Sequence, residues 1–126
     1  MIVGIGTDIV HIPRIAAGLA RHSRRFAARI LADGELTEFD KATRPEAYLA
    51  KRFAVKEAVA KAFGTGFRDG LSLKHICVAN DSLGRPHVAL FAKAQELAQQ
   101  RQVAAVHVSL ADEQEYAIAY VVMESR

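Results

Sequence analysis

The chain has 126 residues, of which 51% are hydrophobic and 25% charged, with a formal net charge of +3. That is apolar material for one core, so the disordered, collagen-like and disulfide-framework classes are excluded, and no apolar run approaches the roughly 18 residues of a membrane span. The single cysteine, Cys77, cannot form an internal bridge, which predicts a reducing, cytoplasmic setting.

Residues 2–10 read as a strand rich in β-branched residues, with two glycines inside it. This apolar start contains Asp8 and lacks a basic leader, so no secretion signal is expected. Pro13 fits the first turn of a helix running to about residue 21. A second short helix, 23–30, carries Phe26, Ala27 and Ile30 at helical spacing. Asp33 is the expected N-cap of a third, near 34–41. Pro45 opens the longest helical pattern, 45–63, which Gly64 and Gly66 terminate. Strands follow at 74–80 and 86–91 around the turn signal Asn80-Asp81-Ser82-Leu83-Gly84. A helix at 91–101 and strands at 103–111 and 116–124 complete the chain. This order predicts a single α+β domain over residues 1–126, with a largely antiparallel sheet and helices packed on one face.

Charge is unevenly placed. Residues 11–30 carry Arg14, Arg21, Arg24, Arg25 and Arg29 without one acid, whereas residues 31–46 are net acidic. Such a basic segment suits a nucleic acid, an anionic membrane or an acidic protein, or it is a solvated face that the neighbouring acids neutralise.

Strand alternation puts Gly4, Gly6 and Asp8 on one face and Val3, Ile5, Thr7 and Ile9 on the other. The glycines leave their side bare beside a carboxylate, as where a ligand or another backbone approaches closely. On the long helix Glu57 and Lys61 lie four apart on one face, and so do Arg52 and Lys56. By spacing alone the first pair is either a surface ion pair or part of a site. Lys61 precedes a Gly-Thr-Gly turn whose amides could approach phosphate oxygens, and Asp8 and Glu57 could share a hard cation such as Mg²⁺. The glycine spacing matches neither a Walker loop nor a dinucleotide fingerprint.

Near the end of the chain, His107 and Ser109 alternate with Val106, Val108 and Leu110. His107 is either a surface histidine or a phosphate ligand at a subunit edge. The other histidines show no zinc-ligand spacing, and Cys77 reads as a buried small hydrophobe.

Taken together, GIGTDIV at 4–10, RFAVKEAVAKAFGTG at 52–66 and VHVSLADE at 106–113 resemble the holo-[acyl-carrier-protein] synthases. These are the small bacterial members of the 4′-phosphopantetheinyl transferase superfamily, and the resemblance spans essentially the whole chain. It implies transfer of 4′-phosphopantetheine from coenzyme A to a serine of apo acyl carrier protein, releasing adenosine 3′,5′-bisphosphate. It further implies Mg²⁺ held by Asp8 and Glu57, with Lys61 neutralising the transferred phosphate. Arg52, Gly64, Thr65 and His107 would line the nucleotide and its 3′-phosphate. Either Glu57 or a water on the metal would take the serine proton. Arg14, Arg21, Arg24 and Arg25, with Phe26 as apolar anchor, match the surface on which the family docks its acidic carrier. Relatives differ in length just before that phenylalanine, which leaves open which of Arg24 and Arg25 makes the contact. Phe53 stands where many relatives have tryptophan, and Ala111-Asp112 where some carry Thr-His. The family forms homotrimers with active sites between subunits, without nucleic acid or membrane. Two other classes keep a place on the residues alone: a basic nucleic-acid-binding module, and a non-catalytic trimeric scaffold in which Asp8 and Glu57 only make ion pairs.

Overall fold

The structure is a computed structural model that describes all residues from Met1 to Arg126. In chain order the elements are β1 (Ile2–His11), α1 (Ile12–His22), α2 (Arg24–Ile30), α3 (Asp33–Lys41), α4 (Pro45–Phe63), β2 (Ile76–Asn80), β3 (Pro86–Leu90), α5 (Ala92–Gln100), β4 (Val103–Asp112) and β5 (Tyr116–Ser125). All strand pairs are antiparallel, as expected, but they form two sheets rather than one. The larger has the order β1-β5-β4, and β2 and β3 form a separate hairpin. A 3-10 turn at Leu73–His75 takes the start of the expected strand at 74–80.

Helix α4 is the centre of the molecule. Pro45 sets its first turn, and Gly64, at φ 79°, ends it in the left-handed region that a glycine enters without steric cost. Buried residues occupy every side of it, among them Leu49, Val55, Val59 and Phe63. Such a helix is enclosed by the fold instead of lying on it. One side, Ala58 and Ala62, packs on β1 at backbone distance. A Cβ at Gly4 would run into the Ala62 carbonyl, and one at Gly6 into the Ala58 carbonyl and the Ala62 amide. The glycine face of β1 is therefore not bare: the approaching backbone is α4 itself.

The opposite face of the larger sheet is uncovered. Ile5, Ile9, Tyr116, Ile118 and Tyr120 are all exposed there, with cross-strand rows Ile9–Ile118 and Thr7–Tyr120. Two local expectations are corrected. Asp33 is the first helical residue of α3, with Ala32 as N-cap, because the Glu35 carboxylate reaches back to accept from the Ala32 N–H at 3.0 Å. Cys77 is half-buried, because alternation along β2 turns Ile76 and Val78 into the core and Cys77 the other way. No helix is long and apolar enough to cross a membrane.

Candidate functional site

Asp8 lies on β1, an edge strand, on the face turned toward α4. From the last turn of α4, the Lys61 ammonium donates to Asp8 Oδ1 at 3.0 Å and to the Thr7 carbonyl at 2.9 Å. Glu57, one turn earlier, is half-buried beside them. Burial, and then the negative charge of Asp8, push its carboxyl above the ordinary value, while Lys61 pulls the other way. The two carboxylates thus sense one another, and one ammonium serves them both. Further positive charge would relieve that repulsion, and two partly buried carboxylates make an oxygen donor set suited to a hard, partly hydrated cation such as Mg²⁺. The Gly64-Thr65-Gly66 turn follows directly. Gly66 also has positive φ, and the Thr65 hydroxyl donates to the Gly66 carbonyl at 2.9 Å.

Arg52 belongs to a different part of the surface. Nine residues before Lys61, it lies about 13 Å away along the helix axis. It is only 8% exposed, its guanidinium stacks 4.5 Å over the Tyr48 ring, and it donates to Asn80 Oδ1 at 2.8 Å. Its Nε is buried without a partner. Arg52 and Asn80 border a cavity of about 530 Å³ together with Gly34, Glu35, Glu38 and Cys77. Nε does not reach that cavity, but the end of the guanidinium fork borders it, and there it can receive an anion such as phosphate.

His107 is on the uncovered sheet face, in the row Ile5–Val122–His107, and its ring shares a 3.0 Å contact with Glu124. That contact holds the Glu124 carboxyl below its usual range. Within one chain, then, Asp8, Glu57 and Lys61 come together with Gly64 and Thr65 close by. Arg52 and His107 stand apart from them, in separate places.

The arginines of α1 and α2 divide as well. Arg24 makes a two-pronged pair with Asp40, at 2.9 and 3.0 Å, which holds that carboxyl below the usual range. Arg14, Arg21 and Arg25 are exposed and have no such carboxylate partner. Phe26 is half-buried over Gly18, where a Cβ would strike its ring. Arg29 is exposed and unpaired too, so neutralisation by neighbouring acids reaches Arg24 and leaves the other four free.

The sequence offered no local signal for Tyr48, Asn80 or Glu35 as neighbours of Arg52. Asn80 was legible only as part of a turn, and the others only as helix residues.

The family profile of the 4′-phosphopantetheinyl transferase superfamily matches residues 4–121. The chain is 54% identical, over 98% of its own length and 98% of the relative's, to a holo-[acyl-carrier-protein] synthase of Pectobacterium carotovorum subsp. carotovorum (strain PC1). Its fold is similar to the crystal structure of the holo-[acyl-carrier-protein] synthase of Neisseria meningitidis, with a TM-score of 0.93 and 42% identity, covering 99% of this chain and 100% of that one. It is similar also to a holo-(acyl-carrier-protein) synthase of Bacillus anthracis str. Ames in complex with CoA (3′,5′-ADP). There the TM-score is 0.84 and the identity 36%, with 100% of this chain and 99% of that chain covered.

Proposed function

The chain belongs to the 4′-phosphopantetheinyl transferase superfamily, and from that membership we infer that it transfers the 4′-phosphopantetheine group of coenzyme A to a serine of apo acyl carrier protein. The products are holo acyl carrier protein and adenosine 3′,5′-bisphosphate. The observation that carries the site is the meeting of Asp8, Glu57 and Lys61 at the edge of β1 and the end of α4.

Asp8 and Glu57 hold Mg²⁺, which, when bound, neutralises charge on the pyrophosphate of coenzyme A. Lys61, flexible and half-exposed, offers its ammonium to the oxygens of the transferred phosphate, where charge develops as the bond to the leaving bisphosphate lengthens. In the turn that follows, the Gly64 and Gly66 amides donate to the Lys61 and Ala60 carbonyls, which leaves the Thr65 amide for the same phosphates. The proton lost by the attacking serine passes to Glu57 or to a water at the site. Arg52, at the edge of its cavity, and His107 bind the nucleotide end of coenzyme A.

Because Arg52 and His107 stand apart from Lys61 within one chain, the complete site is built between chains. The uncovered face of Ile5, Ile9, Tyr116, Ile118 and Tyr120 is the surface on which they meet, since an apolar patch of this kind on a lone chain would stay wet. The assembly is a homotrimer, acting in the cytoplasm. Arg14, Arg21 and Arg25 receive the acidic carrier protein, with Phe26 at the centre of the patch and Arg24 occupied by Asp40.

The test is the intact mass of apo acyl carrier protein after incubation with the protein, coenzyme A and Mg²⁺, with EDTA as control. A gain of one phosphopantetheine group that EDTA abolishes is expected. No gain, with folded protein and a carrier that another transferase modifies, would overturn the reading.

A further inference from the structure

Lys56 has no solvent exposure, and Glu35, its partner, has 4%. The Lys56 ammonium donates to Glu35 Oε1 at 2.6 Å, to the Ile76 carbonyl at 2.6 Å and to the Leu73 carbonyl at 3.0 Å, so all three of its protons are used. Glu35 in turn accepts from the Ala32 N–H through Oε1 and from the Val78 N–H through Oε2, each at 3.0 Å.

The Ile76 carbonyl and Val78 amide belong to the edge of β2 that faces away from β3. No strand pairs there; the ion pair stands where a third strand would. A buried ion pair can usually be exchanged for apolar side chains at little cost. This one cannot, because the exchange would strand the Ile76 carbonyl and the Val78 amide without partners in the interior, although the Leu73 carbonyl would keep the Ile76 N–H. Two residues further along the same edge is Asn80, which holds Arg52, and Arg52 is one helical turn before Lys56 on α4. The Tyr48 ring under Arg52 is tied to the same point, since its hydroxyl donates to the Glu35 carbonyl at 3.1 Å.

We propose that Lys56 and Glu35 are positioning residues for the nucleotide end of the site: they clamp β2 to α4 and α3 at a fixed distance, so that Asn80 and Tyr48 present the Arg52 guanidinium to the cavity. The proposal rests on the reading of Arg52 as a coenzyme A ligand. Lys56 and Glu35 touch no reacting atom. Their loss acts on the affinity for coenzyme A and leaves the transfer step alone.

The experiment compares Lys56→Met, Glu35→Gln, Arg52→Met and the double variant Arg52→Met/Lys56→Met, well below their melting temperatures. Steady-state kinetics are read together with direct binding of adenosine 3′,5′-bisphosphate. Lys56→Met is expected to raise the KM for coenzyme A roughly tenfold and weaken bisphosphate binding alike, with kcat within about twofold and the KM for carrier protein unchanged. In the double variant the Lys56 change adds little to the Arg52 change, since nothing remains to be positioned. Should Lys56→Met fail to fold, Glu35→Gln carries the same test, because Gln keeps the shape but one acceptor oxygen where Glu35 uses two. A raised KM in Arg52→Met beside an unchanged one in the folded Lys56 and Glu35 variants would overturn the positioning role alone. Full additivity in the double variant would do the same. An unchanged KM in Arg52→Met would overturn the reading of Arg52 and the proposal with it.

Discussion

Asp8 and Glu57 repel one another, and the ammonium of Lys61 offsets only part of that. Replacing Asp8 by Asn removes one of the two negative charges without changing shape. The fold should survive, seen as an unchanged circular dichroism spectrum, while transfer to carrier protein falls by roughly a hundredfold or more. Glu57→Gln should separate stability from function more sharply. The folded protein holds the Glu57 proton more tightly than the unfolded chain does, so this group favours folding at low pH. The benefit is lost as pH rises through its raised value, and at neutral pH the metal-free protein pays for the charge. In EDTA at pH 7, then, Glu57→Gln should melt at a higher temperature than wild type. Added Mg²⁺ should raise the melting temperature of wild type and not that of the variant.

At the scale of elements, the long helix and its neighbours show why the sequence could be read so unevenly. Both ends of α4 were legible, because Pro45 and Gly64 act locally through fixed or permissive φ. Its interior was not. A helix buried on all sides carries no amphipathic period, so spacing placed Lys56 on one face with Arg52 without showing its partner, Glu35, 21 positions away. Division into two sheets was equally hidden, since period-2 alternation names strands without naming their neighbours. The grouping of Asp8 with Glu57 was legible through the resemblance of their motifs, whereas the separation of Arg52 and His107 from them needed the tertiary structure. The basic helices follow the same rule: composition marked the patch, but only the Arg24–Asp40 pair divides it. Arg14→Glu, Arg21→Glu and Arg25→Glu should each slow association with carrier protein by about tenfold at low salt, with coenzyme A affinity unchanged. Arg24→Glu should do less. Stopped-flow association rates across a salt series would check the order.

For the whole molecule, one face of the larger sheet is closed by α4 and the other is open and apolar. Ile9→Asp puts a charge in the middle of the open face, against Ile118. Since that side chain is 63% exposed in the single chain, the fold should tolerate the change. Sedimentation is expected to show a trimer for wild type and a monomer for the variant, and most of the transferase activity should be lost. A folded monomer with full activity would mean that one chain holds the whole site.

The glycines of β1 have a consequence for the choice of ion. Asp8 rides on the strand and Glu57 on the helix, and Gly6, against the Ala58 carbonyl, lets the two elements close to backbone contact. The width between the two carboxylates is therefore gauged by a residue with no side chain, two positions before Asp8 and packed against the residue that follows Glu57. Gly6→Ala would prise the helix from the strand and open that gauge. Mg²⁺ asks for oxygens at about 2.1 Å, whereas Ca²⁺ accepts roughly 2.3–2.6 Å and a looser shell. A single methyl group, added where no ligand is bound, should thus shift the preference of the site from the smaller ion toward the larger, readable as the ratio of the two binding constants.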